Sequence, residues 1–273
     1  MQVSQTMSEL SKKVALVTGG TSGIGLGAVE VLLRHGASVA LCGIDPRQTD
    51  EVAERLTAEH GNGRVLAATA DVTSESAIKS FADTAAQHFG GLDTVVTAAG
   101  IQTYGSAADV DLDLWNRTLA VNLTGAYLTV KAALPHVRAR RGAIVMVSSA
   151  QAFVSQTGVS AYSASKGALN AFVRSLAIDE AAHGVRANAV CPASVDTPML
   201  RAAARQFSDG TDAGEQAMVE KWGAMHPIGR VARPSEIGEV IAFLASDRAS
   251  FVTGIAMPVD GGLLSSVAVA IPD

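Results

Sequence analysis

Apolar positions along this chain follow two alternating rhythms. Short unbroken runs, such as Val14-Ala-Leu-Val17, Thr94-Val-Val-Thr97 and Ala143-Ile-Val-Met-Val147, show no polar alternation. Such runs read as strands buried on both faces, the pattern of a parallel sheet. Strands are predicted near residues 13–18, 37–43, 64–70, 92–97, 142–149, 185–191 and 255–259. Between them apolar residues recur at helical spacing, predicting helices near 24–35, 48–60, 74–89, 112–135, 160–183 and 234–246. This alternation predicts an α/β fold, a doubly wound parallel sheet of about seven strands with helices on both faces. Functional groups then belong beyond the carboxyl ends of the strands. No repeat or linker divides the chain, so residues 12–273 are read as one domain behind a frayed tail, 1–11. The regularity breaks at 198–228, which is rich in Ala, Gly, Met and charge.

The first apolar run enters a glycine-rich turn, Thr18-Gly-Gly-Thr-Ser-Gly-Ile-Gly25, and a helical pattern follows through Val29, Leu32 and Leu33. Strand, turn and helix in that order are the context of a dinucleotide fingerprint. Glycines at 19, 23 and 25 permit backbone angles that other residues avoid. They also let a pyrophosphate approach a helix amino terminus, where free N–H groups favour anions.

Further on stand Tyr162 and Lys166, four residues apart, with Ser149 thirteen residues before the tyrosine. Helical spacing stacks the phenol and the ammonium on one face. An ammonium alongside stabilises phenolate and draws its pKa down toward the working range. Ser149 closes an apolar run, where its hydroxyl can meet the phenol. The three groups suit the movement of a proton on or off an alcohol oxygen.

These elements make the chain resemble the short-chain dehydrogenase/reductase family over nearly its whole length. The Thr-Gly-x-x-x-Gly-x-Gly pattern spans Thr18 to Gly25, the adenine-side pair is Asp71-Val72, and the helix asparagine is Asn122. The Asn-Asn-Ala-Gly element appears altered as Thr97-Ala-Ala-Gly100, and the Pro-Gly turn as Cys191-Pro-Ala193, leading to Val195 and Thr197. The chain closes on Val259-Asp-Gly-Gly262. The resemblance implies a Rossmann fold and hydride transfer between a nicotinamide and a secondary alcohol or ketone. It implies Tyr162 as acid/base, Ser149 as the group polarising the substrate oxygen, and Lys166 as ribose ligand and pKa modifier. Asn122 would hold a water linking Lys166 to solvent. Cofactor contacts are implied for Gly19, Thr21, Ser22, Gly23, Ile24 and Gly25, then Asp45, Asp71, Val72, Ala99 and Gly100, and finally Tyr162, Lys166, Val195 and Thr197. The 198–228 segment resembles the family's substrate lid.

Composition agrees with a globular α/β enzyme. Of 273 residues, 48% are hydrophobic and only 17% charged, enough to bury a large core. A net charge of -5 gives no sign of nucleic-acid binding, and no run of 18 apolar residues indicates a membrane span. The amino end has no hydrophobic signal core. Cys42 and Cys191 sit in apolar runs and read as reduced core residues of a cytoplasmic protein. No metal site is expected.

Which nicotinamide cofactor is used turns on Gly43-Ile-Asp-Pro-Arg47. Gly43 stands where NAD-using relatives place an acid, and Ile44 where NADP-using ones place an arginine. Asp45 follows closely, and its carboxylate would repel a 2′-phosphate; Arg47 could reach one. The glycine loop offers Ser22 where NADP users often have a basic residue. The expectation is NAD, with NADP the alternative. For the substrate, Gln102, Gln151 and Gln156 suggest amides around one pocket with Ser149 and Tyr162, suited to a polyol, sugar or cyclic diol. The carboxylate-gripping lysine of hydroxybutyrate-oxidising relatives would fall near Val159 and is missing, which disfavours a small hydroxy acid unless Arg201 folds in. The alternatives are reduction of a 3-oxoacyl thioester with NADP, or a non-catalytic dinucleotide-binding relative. Small apolar residues on 112–135 and 160–183 (Ala126, Leu128, Ala168, Leu169, Ala171, Phe172) and an apolar tail, Leu263–Ile271, predict a homotetramer.

Overall fold

A computed structural model of the chain describes residues 9–266. Seven parallel strands form one sheet: β1 (Val14–Thr18), β2 (Ser38–Gly43), β3 (Val65–Thr69), β4 (Thr94–Thr97), β5 (Ala143–Val147), β6 (Arg186–Pro192) and β7 (Ala256–Val259), in the order β3-β2-β1-β4-β5-β6-β7. The unbroken apolar runs explain this arrangement, since every residue of β1, β4 and β5 is buried. One face packs on α3 (Glu75–Phe89), α5 (Gly125–Arg140) and α6 (Ser160–Asp179), through Ile78, Phe81, Val130, Leu169 and Val173. The other packs on α1 (Gly23–Arg34), α2 (Pro46–His60) and α9 (Pro234–Ala245), through Leu32, Leu56 and Ile241. Helices α1 and α9 touch backbone to backbone: a Cβ on Gly238 would lie 2.7 Å from the Gly27 carbonyl oxygen. Strand order reverses between β1 and β4, and the crevice that opens there is where ligands of such sheets bind.

The structure departs from expectation in three places and builds helices in a fourth, the 198–228 segment. The helix expected over 112–135 is instead α4 (Leu112–Leu119), a π-helical turn (Ala120–Thr124) and α5, which runs on to Arg140. Such π turns occur often at functional sites, and this one carries Asn122. The 198–228 segment folds into α7 (Pro198–Gln206) and α8 (Asp212–Gly223). Residues 9–11, expected to fray, are anchored: Leu10 is 2% exposed and its N–H donates to the His35 carbonyl at 3.0 Å. Ala126, Leu128 and Leu169, expected as surplus interface residues, lie in the chain's own core. Most of the apolar tail, residues 267–273, lies outside the described residues. Among the described residues no helix is long and apolar enough to cross a membrane.

Candidate active site

The carboxyl ends of β1, β4, β5 and β6 border a cleft of about 420 Å³. Ser149, Tyr162 and Lys166 all line it, and all are buried, at 7%, 8% and 5% exposure. Ser149 lies two residues past β5, and its oxygen accepts from the Gln151 N–H at 3.1 Å. That bond leaves the serine hydroxyl hydrogen free to point elsewhere. Tyr162 and Lys166 project from the first turns of α6 onto the same wall, as their spacing requires.

Their electrostatics differ from the sequence expectation. Burial pushes the Tyr162 phenol up to about 12, only partly offset by a hydrogen bond with Ser149, while the nearby Tyr104 pushes it further up. Lys166 does not lower it here. The lysine Nζ donates to the Val147 carbonyl at 2.9 Å and stands 5.6 Å from the Tyr162 ring centre. Burial in turn lowers Lys166 to about 8, and among the described residues no carboxylate pairs with it. A buried ammonium without an anion is a costly feature, and it marks where a polar ligand belongs.

Asn122 does not line the cleft but fixes its wall. Its Oδ1 accepts from Ile101 N–H at 2.8 Å, and its Nδ2 donates to Ile101 O at 2.9 Å and Ser165 Oγ at 3.1 Å. Both amide hydrogens and one of the two Oδ1 lone pairs are thereby engaged. Its carboxamide and Lys166 converge on Gly100, where a Cβ would lie 3.3 Å from Asn122 Oδ1 and 3.7 Å from Lys166 Nζ.

The remaining cleft fits a nicotinamide dinucleotide. Gly19, Thr21, Ser22, Gly23, Ile24 and Gly25 line it. A Cβ on Gly25 would fall 2.1 Å from the Gly19 carbonyl oxygen, so only glycine lets the turn close this tightly. The first turn of α1 holds no acidic residue and its cap residue, Ser22, makes no side-chain cap bond. Free N–H groups and the positive helix end therefore face the cleft, the arrangement that holds pyrophosphate. Asp71, Val72, Ala99, Gly100, Val195 and Thr197 line it too. Asp71 Oδ1 is taken by Thr73 at 2.8 Å, which leaves Oδ2 unengaged among the described residues. The altered element at 97–100 leaves Thr97 Oγ1 buried without a partner, while Ala98 packs toward Gly25.

Three of the proposed ligand residues are placed elsewhere. Asp45 is the cap of α2, its carboxylate accepting from the Gln48 N–H at 2.9 Å, and it does not line the cleft. Gln151 is not among the cleft-lining residues and has its Oε1 buried and unpartnered among the described residues, and Gln156 sits exposed on the loop before α6. Only Gln102 of the three glutamines lines the cleft. Arg201 is not available to a substrate: Asp196 holds it at 2.6 and 2.8 Å and Glu215 at 3.2 Å, a brace joining α7 to α8. The sequence reading missed Gln48, Arg117, Val121, Met199 and Leu200, all of which line the cleft. The spacing of Arg117 and Val121, one helical turn apart before Asn122, was the signal for that pair. Among the described residues no cluster of His, Cys, Asp or Glu could hold a metal ion.

Known proteins share this architecture. A family model described as enoyl-(acyl carrier protein) reductase matches residues 19–264. A cis-4-hydroxycyclohexanecarboxylate dehydrogenase of Sinomonas cyclohexanicum is 41% identical over 92% of this chain and 96% of its own. A meso-2,3-butanediol dehydrogenase of Serratia marcescens is 34% identical over 93% of this chain and 95% of its own. The ligand-free aldohexose dehydrogenase of Thermoplasma acidophilum superposes with a TM-score of 0.88 at 34% identity, covering 98% of this chain and 100% of that one. With that match and the Ser149–Tyr162–Lys166 wall, the chain belongs to the short-chain dehydrogenase/reductase family, as a nicotinamide-dependent oxidoreductase acting on CH–OH groups.

Proposed function

We propose that the chain interconverts a neutral secondary alcohol and its ketone with NAD, the alcohol bearing a second oxygen, as a cyclic diol, polyol or sugar does. The observation that carries this reading is the composition of the substrate end. Gln102 supplies an amide there, Met199 and Leu200 supply apolar wall, and the lid cation Arg201 is neutralised by two carboxylates. Arg117, the arginine that does line the cleft, stands in a helical row with Val121 that leads toward Gly125 and Val72, on the adenosine side. Of the relatives named above, two act by their names on a neutral vicinal diol and an aldohexose, and the third on a ring hydroxyl whose ring also carries a carboxylate.

The nicotinamide, when bound, supplies or takes up the hydride. Tyr162 moves the proton on the reacting oxygen. At neutral pH its raised pKa keeps the phenol protonated, ready to donate to a ketone; oxidation needs the phenolate and gains as pH rises. Ser149, oriented by the Gln151 N–H, donates to the same oxygen and stabilises the charge that develops on it. Lys166 meets the nicotinamide-side ribose and, freed from Val147, favours phenolate. Asn122 acts by position, holding Ile101 and α6 at fixed spacing.

NAD is proposed because, among the described residues, the end of β2 and the glycine turn offer a 2′-phosphate no free cation. Arg47 is paired with Glu51 at 2.8 Å, Ser22 is neutral, and the Asp45 carboxylate stands at the head of α2. Cys42 and Cys191 are free, buried thiols, which fits a reducing, cytoplasmic setting. A homotetramer is proposed on Tyr127 and Ile178, 45% and 79% exposed on the outer faces of α5 and α6. Light scattering checks it: a mass of 27.9 kDa would mean a monomer. The thioester reading suits the family description, but Arg201, Arg205 and Arg230, on the lid and just beyond it, are each ion-paired and not free to meet an acidic carrier. Absorbance at 340 nm with both cofactors against cyclic diols, acyclic diols, aldohexoses, hydroxy acids and a 3-oxoacyl thioester tests the reading. Turnover concentrated on the neutral diols or sugars supports it; turnover on the hydroxy acids or the thioester alone overturns it.

A further inference from the structure

The end of β2 contains a substitution of volume that changes how the adenosine ribose is met. Gly43 is buried, and a Cβ built on it would lie 2.4 Å from Thr21 Oγ1 and 2.6 Å from Thr21 Cγ2. The threonine of the glycine turn therefore occupies the space that a side chain at 43 would need. Thr21 is itself 6% exposed and cannot simply swing away. No side chain at 43, acidic or otherwise, fits over the ribose while Thr21 is there.

Thr21 does something further with that space. Its hydroxyl donates to Gln48 Oε1 at 3.1 Å, across 27 residues of sequence, and both residues line the cleft. With Oε1 turned to Thr21, the amide presents Nε2, which is without a hydrogen-bond partner among the described residues. Gln48 is held from below by its own backbone, whose N–H is fixed by Asp45. Ile44, exposed at 71%, supplies only apolar surface beside it.

Resting on the reading that this cleft binds a nicotinamide dinucleotide, we infer that Gln48, oriented by Thr21, is the residue that reads the 2′-position of the adenosine ribose. The amide replaces a carboxylate by N–H donors. A ribose hydroxyl accepts from Nε2, and so does a 2′-phosphate, whereas a carboxylate accepts from the hydroxyl and repels the phosphate. Rejection of NADP is consequently incomplete in this chain, because the group nearest the 2′-oxygen is neutral and only the more distant Asp45 carboxylate disfavours the phosphate.

Binding measurements on the apo protein, by quenching of tryptophan fluorescence with NAD⁺, NADP⁺, ADP and adenosine 2′,5′-bisphosphate, test this without turnover. Gln48 is exposed, so its variants should fold as wild type does. Gln48→Glu should raise the NADP⁺-to-NAD⁺ ratio of dissociation constants at least tenfold while NAD⁺ itself changes by under about threefold, roughly the effect of one like-charge contact. Gln48→Leu should weaken both cofactors together. Gly43→Asp should lose binding alone and recover it when combined with Thr21→Gly. A ratio that stays within twofold of wild type in Gln48→Glu overturns the inference. A wild type that prefers NADP⁺ but still shifts in Gln48→Glu overturns the NAD proposal and leaves the role of Gln48 standing.

Discussion

Replacing Lys166 by methionine should make the protein more stable at neutral pH and nearly inactive. The lysine is 5% exposed, has no carboxylate partner among the described residues, and is lowered from 10.5 to about 8 by burial. A shift of that size corresponds to about 3 kcal/mol spent on keeping the ammonium charged inside the fold at pH 7. Methionine fills similar volume without charge, and loses only the Val147 hydrogen bond, about 1 kcal/mol. The expected gain is therefore about 2 kcal/mol. Linkage gives the sign of its pH dependence. The folded pKa lies below the unfolded one, so the penalty is complete below pH 8, shrinks between pH 8 and 10.5, and is gone above. Wild type should recover on the variant through that window and overtake it slightly beyond. Denaturant unfolding of both proteins at pH 7 and pH 10.5 measures this, each analysed at constant m. Cofactor affinity should fall about 10- to 100-fold, as expected for a lost charged hydrogen bond. A variant less stable than wild type at pH 7, with a gap that does not change toward pH 10.5, would refute the reasoning.

Asn122→Ala should cost about 1–3 kcal/mol of stability, because it orphans the Ile101 N–H and a bond to Ser165. It should also lower kcat more than it raises KM; unchanged stability and kinetics would remove its positioning role. Glu236 is held down to about 2, first by the Arg230 guanidinium and then by the Arg233 N–H. Its folded pKa lies below the unfolded value of 4.5, so its stabilisation is full above pH 4.5 and is lost as pH falls toward 2. Glu236→Gln should flatten the stability profile between about pH 5 and 3 in urea titrations, and an unaltered slope would contradict the pairing.

The framework was legible because its signals are local. Continuous apolar runs can be satisfied only as doubly covered strands, and Tyr162, Lys166 and Ser149 fall on one wall because α6 starts where their spacing needs it. What escaped depends on which of two partners a group chooses. Asp45 could cap a helix or meet a ribose, and the α2 N–H groups, four residues away at most, won it. Lys166 could face the phenol or the Val147 carbonyl, and it takes the carbonyl. Gln48 entered the cleft because Thr21 filled the space over Gly43, a tertiary contact with no periodic signature. The π turn at Asn122 is likewise invisible to a 3.6-residue rhythm, since it adds one residue inside an otherwise helical pattern. Gln151 and Gln156 were grouped with Gln102 by nearness in sequence to Ser149 and Tyr162, but neither is among the residues that line the cleft.

The central claim is that the Tyr162 phenol carries the proton while the dinucleotide cleft holds the hydride carrier. Tyr162→Phe tests it most directly, because the ring still fills its place in the wall and only the hydroxyl is lost. Single-turnover hydride transfer followed at 340 nm, with NAD⁺ affinity measured on the same sample, separates chemistry from binding. The account predicts a rate lowered roughly 100- to 10,000-fold, NAD⁺ affinity within about threefold of wild type, and loss of the alkaline rise that it predicts for wild-type alcohol oxidation. A variant that transfers hydride within about tenfold of the wild-type rate, with the pH profile intact, would contradict it.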